Sequence, residues 1–164
     1  TGDHGIAVMS QREGLKFSVP VQSDCAPLNH LVEKMLNTCP SIRCMRDPTR
    51  GGLATTLNEI AGMSNVGMVI EEETIPVRES VRGICELLGL DPLYLANEGK
   101  LIAICPSSDA ARLLGAMRSH PLGTHGEIIG SVTEENPKRV ILRTLIGGHR
   151  ILDMLTGLQF PRIC

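Results

Sequence analysis

The sequence predicts an α/β domain in which a mixed β-sheet packs with helices. Three observations carry that expectation. Several segments repeat apolar residues at helical spacing, short β-branched or apolar runs lie between them, and helices alternate with strands before strands cluster near the end.

The elements follow in order. In PLNHLVEKMLN (27–37), Leu28, Leu31, Val32, Met35 and Leu36 fall at i, i+3, i+4, i+7 and i+8, which predicts a helix with Pro27 in its first turn and Pro40 beyond its end. IRCMRD (42–47) reads as a short strand. Helical spacing returns over 49–63, with Leu53, Leu57, Ile60 and Ala61 on one face. VGMVI (66–70) is a strand. Pro76 opens a further helix that turns Val77, Val81, Ile84 and Leu88 inward and stops at Gly89. LIAIC (101–105) reads as a buried strand, and Ser107 or Ser108 as the cap of a helix running to about Arg118. EIIGSV, RVILRT and HRILD complete the sheet, linked by turns at Glu135-Asn136-Pro137 and Gly147-Gly148.

Composition narrows the function classes. The 164 residues suit one domain, and 42% are hydrophobic. That core is aliphatic and sulfur-rich, with seven Met, two Phe, one Tyr and no Trp. A net charge of −2 and so few aromatic rings argue against a nucleic-acid surface. No apolar run approaches the ~18 residues of a membrane span. The chain begins Thr1-Gly2-Asp3 with no signal-peptide pattern, and a processed or partial chain is expected. Its cysteines, Cys25, Cys39, Cys44, Cys85, Cys105 and Cys164, form no CxxC and no zinc-finger spacing. They read as thiols of a reduced, cytoplasmic protein, with Cys85 and Cys105 as small buried hydrophobes.

Four stretches could carry chemistry. In RDPTRGG (46–52) a strand ends at Asp47 and a helix starts near Thr49. Asp47 is a hard oxygen donor of the kind Mg²⁺ takes, Arg50 suits a phosphate, and Gly51 and Gly52 admit a close neighbour. Alone, the stretch is more simply a helix cap with packing glycines. In LANEGKLIAI (95–104), Asn97, Glu98 and Gly99 precede an apolar strand, so Glu98 is placed for base chemistry, or is only a solvated turn carboxylate. TGDHGIAVMS (1–10) sets Asp3 and His4 before an apolar run, as a ligand-facing turn or a cap. His30, His120, His125 and His149 read as structural or surface residues, and Glu71-Glu72-Glu73 as a solvated loop. Finally, the tail ends PRIC. Residues 1–153 read as the domain and 154–164 as a flexible tail, whose eleven steps beyond Asp153 span at most ~36 Å when extended.

GDHGIAVMS, SDCAPLN, RDPTRGGLATTLNEIA, IPVRESVRGICELLGLDPLYLANEGK, HPLG and the terminal PRIC together resemble the hydrogenase maturation factor HypE family, through essentially the whole chain. That family is similar to aminoimidazole ribonucleotide synthetase and selenophosphate synthetase, chains with an N-terminal ATP-binding half and a C-terminal α/β half. The resemblance implies that this chain is the C-terminal half, without the ATP-binding half, and inactive alone. It implies that the terminal cysteine, Cys164, receives a carbamoyl group from the carbamoyltransferase HypF. ATP with Mg²⁺ then drives dehydration to a thiocyanate, and cyanide passes to iron on the HypC–HypD complex for [NiFe]-hydrogenase. By the same resemblance Glu98 is the catalytic carboxylate and Asp47 lies near Mg²⁺ and the phosphates, with Arg50, Gly51 and Gly52 beside it. Asp3 and His4 fall at the nucleotide cleft. A homodimer is implied for the full-length family member, with this half possible as a monomer. A non-catalytic docking module, or another synthetase of the superfamily, are the alternative readings.

Overall fold

The ordering of apolar residues divides the chain among three small cores, and the computed structural model describes them through residues 1–12, 14 and 21–154. Helix α1 (Asp3–Arg12) and α2 (Asn29–Thr38) precede strand β1 (Cys44–Arg46). Then follow α3 (Gly52–Ser64), β2 (Gly67–Glu71), α4 (Glu79–Leu88), β3 (Ile102–Ile104) and α5 (Ser107–Arg118). Strands β4 (Gly130–Thr133), β5 (Val140–Arg143) and β6 (His149–Ile151) end the described chain.

The strands form two sheets. β1 and β3 make an antiparallel ribbon with Arg46 opposite Ile102. The second sheet runs β4-β2-β5-β6, with β2 parallel to β5 and the other pairs antiparallel. The α/β class with mixed sheet is therefore correct.

In the largest core, Leu53, Leu57 and Ile60 of α3 meet Met68, Ile70, Val140 and Leu142 of the sheet, with Leu152 sealing the end. Ile6 of α1 packs with Val81, Ile84 and Cys85 of α4 and with Leu95. Leu31 and Met35 of α2 pack with Leu113 of α5. Strand β3 lies between two of these cores. Ile102 and Ile104 face the first, and Leu101, Ala103 and Cys105 the third, so the run is apolar without alternation because both faces are covered. It is only half-buried, since the ribbon has two strands.

Several local expectations shift. α3 begins at Gly52, not near Thr49, because the chain turns through left-handed φ at the N-cap Gly51, 67°, and at Gly52, 63°, before regular helix follows. The helix after Pro76 begins at Glu79; its buried stripe is Val81, Ile84 and Cys85, and Leu88 stays 36% exposed just before the left-handed Gly89. No serine caps α5: Pro106 holds the N-cap position, without a side-chain bond. Glu71 and Glu72 are not loop solvation. Glu71 ends β2 and binds Arg143 at 2.9 Å, while Glu72 accepts the Leu145 N–H at 3.0 Å. Cys85 is a small buried hydrophobe as read; burial, reinforced by Asp91 and Glu86, pushes its thiol up to about 11. Cys105 is half-buried.

Candidate functional site

The antiparallel ribbon places two of the sequence motifs side by side. The chain leaves β1 at Asp47 where it enters β3 from Lys100, so the 47–52 and 97–100 loops share one end of the ribbon. Asn97 joins them. Its backbone N–H donates to the Pro48 carbonyl at 3.1 Å, and its Nδ2 donates to Pro48 at 3.3 Å and to Leu95 at 3.0 Å. Its Oδ1 accepts the Gly2 N–H at 2.7 Å and the Thr1 hydroxyl at 3.3 Å. The Gly5 N–H donates to Ala96 at 3.0 Å. All three internal stretches singled out in the sequence thus converge on one fully buried amide.

A charge network runs beside it. Asp3, in the first turn of α1, has a side chain only 2% exposed. Its Oδ2 binds Lys100 Nζ at 2.7 Å; its Oδ1 lies 3.2 Å from the Arg78 guanidinium and accepts no hydrogen bond. Lys100 also binds Asp24 Oδ2 at 2.6 Å, linking two carboxylates through one ammonium. Asp24 in turn accepts the N–H groups of Glu98 at 3.2 Å and Gly99 at 3.3 Å. Burial raises the Asp24 carboxyl, but the Lys100 hydrogen bond and charge, with those two N–H groups, outweigh it and hold the carboxyl below its ordinary range. Gly99 is required here: a Cβ would stand 1.6 Å from the Asp24 carbonyl oxygen.

His4 bonds Ser23, the neighbour of Asp24, Nδ1 to Oγ 2.8 Å. Glu98 is half-buried at the turn. Asp47 and Arg50 are exposed and, among the described residues, make no side-chain hydrogen bond or ion pair. Gly52 packs its α-carbon under the chain: a Cβ would lie 2.6 Å from the carbonyl oxygens of both Leu93 and Leu95. The left-handed pair Gly51-Gly52 leads directly into the first turn of α3, whose N–H groups have no intrahelical acceptors.

These residues fit a nucleotide's phosphates in kind through an exposed guanidinium and a helix start; the space a Cβ would take at Gly51 and Gly52 is filled by Thr55 and by the Leu93 and Leu95 carbonyls. Among the described residues no group of three His, Cys, Asp or Glu side chains could hold a metal ion. Asp47 alone suits Mg²⁺, which takes one or two carboxylates and completes its shell with phosphates and water. Cys164 and the tail beyond Met154 lie outside the described residues. The sequence reading missed Asp24, Lys100 and Arg78. Each stands inside a motif that carried the resemblance, SDCAPLN, NEGK and IPVRES, but nothing local marks them as partners.

Residues 1–143 match the family described as AIR synthase related protein, C-terminal domain. The chain belongs to that family. It is 56% identical over 163 residues to carbamoyl dehydratase HypE of Cupriavidus necator, covering 99% of this chain and 46% of that protein. Against carbamoyl dehydratase HypE of Azotobacter vinelandii the identity is 57%, covering 99% and 48%. The chain spans about half the length of the curated relatives it matches. Among solved structures, the hydrogenase maturation protein HypE superposes with a TM-score of 0.94 at 53% identity, covering 99% of this chain and 53% of that one. HypE in complex with ATP gives 0.93 at 52%, covering 99% and 50%. The HypE–HypF complex gives 0.90 at 49%, covering 94% and 50%. No helix among the described residues is long and apolar enough to cross a membrane.

Proposed function

We propose that these residues are the C-terminal half of an ATP-dependent carbamoyl dehydratase of [NiFe]-hydrogenase maturation. The observation that carries the reading is the identity of 56% to a carbamoyl dehydratase HypE over 163 residues. The convergence of the Asp3, Asp47 and Glu98 stretches on Asn97 supports it. The substrate is an S-carbamoyl group on Cys164, transferred by HypF; support for that partner comes from the solved HypE–HypF complex.

ATP, with Mg²⁺, supplies the phosphoryl group that turns the carboxamide oxygen into a leaving group. Glu98 takes N–H protons of the carboxamide as that oxygen departs as phosphate, leaving a thiocyanate on sulfur. Arg50 and the Gly51-Gly52 entry to α3 bind phosphate oxygens, and Asp47 holds the Mg²⁺. Asp3 and His4 line the nucleotide cleft, Asp3 by fixing Lys100 and His4 through its bond to Ser23. Cys164 carries the carbon from the carbamoyltransferase to the cleft, and then to an iron acceptor on HypC–HypD. Most of the nucleotide contacts come from the N-terminal half, so the isolated segment is inactive, and the full-length protein works as a homodimer in the cytoplasm.

The test is intact mass and peptide mapping of the full-length protein bearing this segment, after incubation with the carbamoyltransferase, carbamoyl phosphate and ATP. A carbamoyl adduct on Cys164 that loses one water in the wild type, persists in Glu98→Ala and is absent in Cys164→Ala is expected. An adduct-free Cys164 would overturn the reading and leave a docking module.

A further inference from the structure

Glu98 is held from a part of the chain to which the proposed reaction assigns nothing. The strap around Asp24 lies 74 residues away in sequence, yet it makes both backbone contacts that bracket the Glu98 peptide, the N–H of Glu98 and the N–H of Gly99. Two consecutive N–H groups aimed at one carboxylate form a concave anion seat. Here the anion is supplied by the protein itself. The Asp24 side chain is only 6% exposed, and Lys100 grips it at 2.6 Å. The fit is tight enough to exclude any side chain at Gly99.

Lys100 also binds Asp3, and the start of α1 is tied by the Gly2 N–H to Asn97, the residue before Glu98. The contacts therefore close a ring: Asp24, Lys100, Asp3, Asn97 and back through Glu98. A base at such a turn is fixed on both sides of its peptide, which sets the direction of its Cα–Cβ bond. We infer that Asp24 is the positioning residue for Glu98: its carboxylate, charge-locked by Lys100, clamps the Glu98-Gly99 backbone and sets where the proposed base projects. This rests on the reading of Glu98 as the base. Catalytic groups displaced by about 1 Å lose roughly 100-fold in rate, which sets the scale of the expected effect.

The experiment uses the full-length protein carrying a preformed carbamoyl adduct. The single-turnover rate of water loss is followed as a function of ATP concentration in the wild type, Asp24→Ala, Asp24→Asn and Glu98→Gln. Amide exchange of peptides spanning 95–101 and 52–64 is measured alongside. The clamp predicts a fall of roughly 100-fold in the rate at saturating ATP for Asp24→Ala. It predicts a smaller loss for Asp24→Asn, which keeps an acceptor oxygen, and a half-saturating ATP concentration changed less than about twofold, because the phosphate-binding residues are untouched. Exchange rises at 95–101 and not at 52–64. An unchanged rate in both Asp24 variants, with Glu98→Gln inactive, overturns the positioning role alone. A rise in exchange throughout α3 overturns it too, because Asp24 is then a residue of global stability. Wild-type dehydration in Glu98→Gln removes the catalytic reading; the clamp then stands or falls on whether exchange in Asp24→Asn rises at 95–101.

Discussion

Replacing Asn97 by Ala should unfasten the site from within. The side chain is fully buried and makes four hydrogen bonds, to Gly2, Thr1, Leu95 and Pro48. The losses are unequal. Pro48 keeps the Asn97 backbone N–H at 3.1 Å, so its carbonyl is still satisfied. The Gly2 N–H, bonded at 2.7 Å, loses this side-chain acceptor in a place water does not reach. An orphaned buried donor costs about 1–3 kcal/mol and each ordinary lost bond about 1 kcal/mol, so a total of about 3 kcal/mol is expected. For a domain of this size that lowers Tm by roughly 6–12 °C. Urea and thermal unfolding of Asn97→Ala and Asn97→Asp, followed by circular dichroism, check it. Asp restores the acceptor for Gly2 but sets a carboxylate against the Leu95 and Pro48 carbonyls, so it should rescue little. A loss below about 1 kcal/mol in the Ala variant would refute the reasoning, since a single net hydrogen bond already contributes that much.

Other outcomes follow from the same packing. Gly52→Ala combines φ +63° with a Cβ 2.6 Å from two carbonyl oxygens and should lose about 3 kcal/mol or more in urea unfolding, against about 1 kcal/mol for Gly89→Ala, where φ is +67° but nothing lies within 4 Å. In pulse labelling with iodoacetamide at pH 8, mapped by peptide mass, Cys25 should react early while the buried Cys85, its thiol raised to about 11, stays unmodified until the fold opens. The Asp24 carboxyl, facing Lys100 and the Glu98 and Gly99 N–H groups, titrates below its ordinary 3.8 in the fold. Its stabilisation is therefore complete only above about pH 5 and drains away as pH falls through 3.8 toward the depressed native value, so the gap in urea midpoint between wild type and Asp24→Asn should narrow as pH drops below 3.8.

Helices and strands were legible where one local rule governed them. The 3.6-residue stripe of α2, the glycine stop of α4 and the apolar run of β3 are properties of neighbours in sequence. Sheet order is not: that β5 runs parallel beside β2, with β4 on its far side, depends on contacts some 70 residues apart. The same limit hid part of the site. Glu98, Asp47 and the glycine pair became candidates only through the family resemblance, since their loops alone read more simply as a turn and a helix cap. Lys100 pairs with residues 76 and 97 positions away, and no spacing rule announces such a bond. Asn97 carried no role of its own in the sequence reading, whereas here its amide is sealed inside and fastens three segments. Ser107 matched the residue type of a cap but not its geometry.

The end of the described chain is firmly moored. Leu152 is fully buried and donates its N–H to Val140 at 2.8 Å, and the Tyr94 hydroxyl donates to the Asp153 carbonyl at 3.0 Å. Cys164 is eleven residues further on. Whatever path those residues take, their contour confines the sulfur to a sphere of ~36 Å radius about that mooring, an average local concentration on the order of 10 mM. A thiol tethered in that way meets its own domain at a rate that dilution does not change. Excess free thiol compound would have to reach millimolar levels before it competed, and any protein that loads or unloads the sulfur must approach within that radius of Asp153.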